Sequence, residues 1–148
     1  MLKISLPWPA PGLWQNETHR AHWSLTARET RDARAEARVE TLRQQPGVKL
    51  SPLTGYALGL LFSPPDAKAR DLPNAVGAMK AALDGVADAL GIDDKWFAPL
   101  VSDWGGAERG TVTVIIGATL PEVLREWPLV VESTRSWGDP ASLKGSQR

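Results

Sequence analysis

The 148-residue chain has no cysteine. That excludes a disulfide framework and a thiolate metal site, so any bound metal must be held by carboxylates, histidines or backbone oxygens, a ligand set that suits hard cations. Net charge is also missing: 17 basic side chains stand against 17 acidic ones, leaving no global field to draw in a nucleic acid. No apolar run is long enough to cross a bilayer. The opening residues Met1-Leu-Lys-Ile-Ser-Leu6 lack the pattern of a cleaved leader and read as a strand. A cytoplasmic protein is expected. The two histidines, His19 and His22, are three apart but lie ahead of the first helix. They have no third nitrogen, sulfur or suitably placed carboxylate nearby, so a zinc site is not expected. The chain contains no internal repeat.

What is present is ordinary for a globular protein: 43% apolar and 23% charged residues. The length suits one domain with its own core. Residues 1–132 are expected to form it, and a polar stretch with Gly138, Pro140 and Gly145 makes 133–148 a flexible tail. Charge is unevenly spread. Residues 1–50 hold eight basic and five acidic side chains, and six arginines fall between Arg20 and Arg43. The planar fork of arginine suits phosphate oxygens, while a solvated helix face is the other reading of such a run.

Residues 2–6 form a strand that stops at Pro7-Trp-Pro9-Ala-Pro11-Gly12, since proline neither donates to a ladder nor continues a helix. Ser24 to Gln45 is rich in Ala, Arg and Glu, with Thr26-Ala-Arg-Glu29 as a capping box and Pro46-Gly47 as a stop, and predicts a helix. Its few large apolar residues, chiefly Leu25, Val39 and Leu42, suggest packing through a narrow alanine-lined face that leaves the arginines free. Tyr56 to Phe62 reads as an interior strand. From Ala75 to Leu90, Val76, Met79, Leu83, Val86 and Leu90 recur at three and four, one buried stripe of a helix that Gly91 ends. Residues 97–104 and 111–117 read as strands joined as a hairpin, and Pro121 to Trp127 as a short helix. The order predicts an α+β fold, a small mixed sheet with two main helices packed on one side.

Several residues can carry chemistry. Asp71 precedes the core helix, and Asp93 and Asp94 follow it. A helix from 75 to 90 spans about 24 Å at 1.5 Å per residue, so these acids meet only if the chain turns back after Gly91. Equally, Asp71 or Asn74 fits a helix N-cap with Pro73 in the first turn, and Asp93-Asp94 a polar turn. Lys80 borders the apolar stripe and is placed to pair with Asp84 one turn on, or to steady a phosphate. Seven tryptophans, among them Trp8, Trp14, Trp23 and Trp96, either fill core or offer surfaces for unpaired bases.

Together the motifs resemble a known family. Leu6-Pro-Trp-Pro9, Asn16, His22-Trp23 and Arg31, then Arg70-Asp71-Leu-Pro-Asn74, Lys80-Ala-Ala-Leu-Asp84-Gly and Gly91-Ile-Asp93-Asp94 follow the order seen in RusA-type Holliday junction resolvases. The resemblance covers about residues 3–117. It implies a homodimeric, Mg2+- or Mn2+-dependent endodeoxyribonuclease that cuts four-way DNA junctions in recombination and repair, of a kind common in prophages. It further implies Asp71, Asp93, Asp94 and Asn74 as the metal-site residues, either Asp93 or Asp94 being the acid that matches the family's ligand after the helix, and Lys80 with the three aspartates as the catalytic set. Asn16, His22, Arg28, Arg31 and Arg70 are then the DNA-facing groups. Oxygen ligands suit magnesium, which activates water and neutralises phosphate charge.

Pro73 departs from the family's Asp-x-Asp-Asn motif by standing where its second aspartate would be. Three outcomes stay open: a metal site rebuilt from Asp71, Asp93, Asp94 and Asn74 or Asp84; weak cutting; or a junction-binding protein that has lost cleavage. A protein-interaction domain is a further alternative that zero net charge suits, and salt-dependent DNA binding separates it from the others.

Overall fold

The computed structural model describes residues 1–14, 23–105 and 108–134. These gather into two compact units, each drawn from separate stretches of the chain. The first comprises Met1–Trp8, Tyr56–Leu72 and the described residues from Ala98 onward; the second comprises Pro9–Gly55 and Pro73–Phe97. The fold class is α+β, as the order of elements predicts.

The first unit is a sheet with one helix on it. Four strands, β1 (Leu2–Pro7), β2 (Tyr56–Ser63), β3 (Phe97–Trp104) and β4 (Thr111–Gly117), stand in the order β1-β4-β2-β3. Strand β4 runs antiparallel to both neighbours, with Leu2 opposite Ile116 on one side and Leu58 opposite Ile116 on the other. Where β2 and β3 end together, the Gly105 amide donates to the Phe62 carbonyl at 2.8 Å, so β3 runs parallel to β2 and the sheet is mixed.

The expected hairpin of residues 97–104 and 111–117 is therefore not formed. The two strands have the expected bounds but are not neighbours. Strand β4 is buried along almost its whole length, with Val112, Val114, Ile115 and Ile116 at 2% exposure or less, and burial on both faces favours a place between two partners. In β3 the residues Ala98, Pro99 and Leu100 are exposed, and Pro99 lacks a ladder donor, which suits an edge position.

Helix α4 (Leu120–Thr134) outruns the predicted 121–127, with Pro121 in its first turn, where a missing N–H costs nothing. It packs Val123, Leu120 and Trp127 against Ala57, Leu61 and Ile115 of the sheet. Gly59 makes this approach possible, since a Cβ there would lie 2.7 Å from the Trp127 ring and 2.8 Å from Val123. At the far end of the strands, Phe62 meets Trp8 and Trp104 edge-on, with centroids 6.1 and 6.0 Å away. Residues 135–148, most of the expected tail, lie outside the described residues.

The second unit is helical. Helix α1 (Trp23–Gln44) begins ahead of Thr26, so the expected capping box is not a cap: Thr26 and Glu29 lie inside the helix, and Thr26 Oγ1 and Glu29 Oε2 are buried without a hydrogen bond. The expected single core helix is two, α2 (Leu72–Ala78) and α3 (Lys80–Leu90), divided at Met79. There the amide reaches back only three residues, to the Val76 carbonyl at 3.1 Å, and Gly77, a poor helix former, lies just before the break. The stripe is buried as expected: Met79, Val86 and Leu90 are at 1% exposure or less.

Helices α1 and α3 pack through small residues. A Cβ on Gly85 would sit 2.1 Å from the Arg34 carbonyl oxygen, so backbone lies directly on backbone. Ala37 and Thr41 of α1 and Ala81 and Ala89 of α3 are buried around this crossing, while Leu25, Val39 and Leu42 are exposed. The alanine-lined face is the packing face, and Arg28, Arg31, Arg34, Arg38 and Arg43 all remain exposed.

Candidate functional site

The C-terminus of α3 is closed by Gly91, whose φ of 78° is the left-handed conformation that glycine adopts without strain. Its amide and that of Ile92 return to the Ala87 and Asp88 carbonyls. The remaining end carbonyls are also met: Leu50 N donates to Leu90 at 2.9 Å and Lys49 Nζ to Ala89 at 2.6 Å. The chain then turns back along the helix. Asp93 caps a single 3-10 turn, Asp94–Trp96, by accepting from the Lys95 amide at 3.1 Å, and Asp94 begins that turn with its carboxylate directed at α3.

On α3 the residues Lys80, Asp84 and Asp88 follow at intervals of four and so share one face. Lys80 Nζ donates to Asp84 Oδ1 at 2.9 Å and also to Asp94 Oδ2. Asp88 is engaged from α1, where Arg34 donates through Nε at 2.7 Å and Nη2 at 3.0 Å. Among the described residues these groups line an open cleft of about 450 Å³ together with Asp93, Ala87 and Ile92. Four carboxylates thus face two cations.

The contacts set the protonation behaviour. The hydrogen bond from Lys80 holds the Asp94 carboxyl below the usual carboxylate range, and the same contact, with that to Asp84, holds the lysine charged to higher pH. The Arg34 hydrogen bonds do the same to Asp88. Asp94 and Asp88 are thus held in the charged form, and each of the two cations is already bonded to at least one acid of the cleft.

The residues expected from sequence divide as follows. Lys80, Asp93 and Asp94 come together, and of the two consecutive aspartates Asp94 is the one joined to the lysine. The pairing of Lys80 with Asp84 is also as read. Asn74 lies inside α2, and Pro73 is the second residue of that helix. Asp71 belongs to the first unit and directly precedes α2. Arg70, also of the first unit, is folded inward: its guanidinium stacks over the Trp8 ring at 5.1 Å and pairs with Asp66 at 2.8 Å. It donates to the Lys68 carbonyl as well, so it organises its own loop. Arg28 is exposed and lies 3.9 Å from Asp32, and Arg31 is exposed. Asn16, His22, His19 and Arg20 lie outside the described residues.

Sequence reasoning missed Arg34 and Asp88. The spacing of four from Lys80 through Asp84 to Asp88 is a usable signal for the second, but nothing local links Arg34 to an acid 54 residues away.

Two carboxylate oxygens meeting at one positive atom, beside open solvent, are a donor set that fits a hard divalent cation, since magnesium commonly takes one or two carboxylates and keeps its waters. Among the described residues no three His, Cys, Asp or Glu side chains form a ready-made metal group, and no helix is long and apolar enough to cross a membrane.

No protein-family model matches the chain. A protein of Xylella fastidiosa, described as uncharacterized, is 34% identical over 122 residues, covering 80% of this chain and 78% of that protein. The chain belongs to the same family as this Xylella fastidiosa protein.

Proposed function

We propose that the chain is a divalent-metal-dependent endonuclease of the RusA type, resolving four-way DNA junctions during recombination and repair. One observation carries the reading: a cleft with four aspartates and two cations lies beside a helix whose five described arginines are all exposed. The arginines suit phosphate oxygens. The cleft has an excess of two negative charges and would repel a phosphate by itself, so bringing the two together calls for a cation between them.

Asp94 and Asp84 would hold the ion, Mg2+ or Mn2+, which when bound supplies charge neutralisation and an activated water at the scissile phosphate. Lys80 carries a positive charge at the same place and stabilises negative charge on an oxygen. Asp93 positions Asp94 by capping the turn that presents it. Asp71 is assigned to the site by its sequence motif alone. Arg28 and Arg31 would track the DNA backbone, with Asn16 and His22 nearby in sequence. Cutting two symmetry-related strands requires two copies of the site, so the working unit is a homodimer, and its substrate places it in the cytoplasm.

A second reading, junction binding without cleavage, is favoured by Pro73, whose side chain offers no ligand. The test is incubation of the full chain with a synthetic four-way junction, with and without Mg2+ or Mn2+, beside an Asp94→Asn variant. Paired, metal-dependent nicks that disappear in the variant are expected. Binding without nicks selects the second reading, and absence of junction binding rejects both.

A further inference from the structure

Among the described tryptophan side chains, Trp8 and Trp104 meet Phe62 edge-on, Trp127 presses on the sheet at Gly59, and Trp14 donates its indole N–H to the Pro9 carbonyl at 3.3 Å. Trp96 is placed differently. It is partly exposed at the end of the 3-10 turn Asp94–Trp96, and the Lys95 ammonium lies over its ring, 5.5 Å from the centroid. The Lys95 side chain is 68% exposed, and its contact with Asp93 is a loose 3.8 Å. A ring face covered by so solvated a cation is directed at the surface instead of the core.

The turn that carries the ring is fixed. The Trp96 amide donates to the Asp93 carbonyl at 3.1 Å, the Phe97 amide to that of Asp94, and the buried Ile92 and Phe97 anchor the turn on either side. An indole held this way loses little freedom when a flat group settles on it. The nearest acids are already engaged, Asp94 by Lys80 and Asp93 by the Lys95 amide. Arg34 of α1, the helix with exposed arginines, lines the cleft that Asp93 and Asp94 also line.

An aromatic face beside cations suits a ligand that is flat and carries negative charge next to its ring. An unpaired nucleotide has both: its base stacks on the indole and its phosphate meets the ammonium. Inside a linear duplex both faces of each base are covered by its neighbours. Resting on the DNA-junction reading above, we infer that Trp96 is a stacking platform for an unpaired base at the branch point, with Lys95 leaving the ring face to meet the adjoining phosphate. Every base has such a face, so the platform recognises branching without reading sequence.

The test measures binding of the full chain, without divalent metal so that no strand is cut, to a four-way junction, a short oligothymidylate and a linear duplex, each followed by fluorescence anisotropy. Trp96→Ala is expected to weaken junction and oligothymidylate binding about tenfold, the scale of one lost base stack, and to leave duplex binding unchanged. Trp96→Phe, which keeps an aromatic face, is expected to stay within a few-fold of wild type. Thermal unfolding of both variants checks that the fold is intact. Unchanged binding in Trp96→Ala, or an equal loss on all three DNAs, overturns the inference while a junction-binding wild type preserves the proposed function. Loss of oligothymidylate binding in Trp96→Ala, in a wild type that ignores the junction, keeps the platform and rejects the junction as substrate. A wild-type chain that binds none of the three overturns both.

Discussion

Arg34 and Asp88 form a two-point contact, Nε to Oδ2 at 2.7 Å and Nη2 to Oδ1 at 3.0 Å, that joins α1 to α3 one turn from the place where Gly85 lets their backbones touch. Small residues set the distance between the helices, and the ion pair fixes their register.

This pair gives a pH dependence with a definite sign. The Arg34 hydrogen bonds depress the folded-state proton affinity of Asp88. A carboxyl depressed in this way contributes stability above its unfolded value, about 3.9, and the contribution is lost as pH falls from there through the lower folded value. Urea unfolding at pH 7 and pH 3 should show a loss on acidification that is smaller in Asp88→Asn. Equal losses in the two proteins would mean that the pair adds nothing.

Gly85→Ala places a methyl group into the Arg34 carbonyl, where only backbone movement makes room. A loss of about 1–3 kcal/mol is expected, the usual scale of overpacking. Chemical denaturation measures it, and a variant as stable as wild type would contradict the helix crossing described here.

Gly59→Ala should act in the sheet unit by the same physics but against a side chain that is removable. The added Cβ meets Trp127 at 2.7 Å. Its cost is expected to shrink in a Trp127→Leu background, giving a coupling of about 0.5–3 kcal/mol in a double-mutant cycle. Strict additivity would show that the helix does not press on the strand at this point.

Binding to a DNA junction should separate the arginines of α1. Arg43 is clamped by Glu40 at 2.7 Å, whereas Arg31 is exposed and belongs to the set expected to face DNA. In fluorescence anisotropy across a salt series, Arg31→Ala is expected to reduce the slope of log affinity against log salt by about one unit. Arg43→Ala should leave the slope nearly unchanged, and equal effects would remove the case for a directed phosphate track.

How far the sequence could be read depended on the range of the interaction. The bounds of β3 and β4 and the stripe from Met79 to Leu90 come from alternation and helical spacing, which are local. Lys80 with Asp84 was legible for the same reason. The break at Met79 was not, because apolar spacing continues through it unchanged. Nor was the sheet order: the turn-rich residues between β3 and β4 suit a hairpin, and only the pairing of β4 with β1 and β2 shows that it lies between them. The choice of Asp94 over Asp93 needed the turn in which Asp93 accepts from the Lys95 amide while Asp94 bonds Lys80, and Arg34 with Asp88 needed the helix crossing itself.

Strand order also governs when the sheet can form. Among the described strands β1 is outermost and has β4 as its one neighbour, with Leu2 opposite Ile116. On a ribosome adding about 5–20 residues per second, the first strand therefore waits on the order of ten seconds for its partner to be made. During that interval Ile4 and Leu6, both destined for 1% exposure, have no sheet to join. Vectorial synthesis thus puts assembly of this sheet late, and truncations ending before residue 111 should fail to produce it, leaving an N-terminal apolar strand for chaperones to shield.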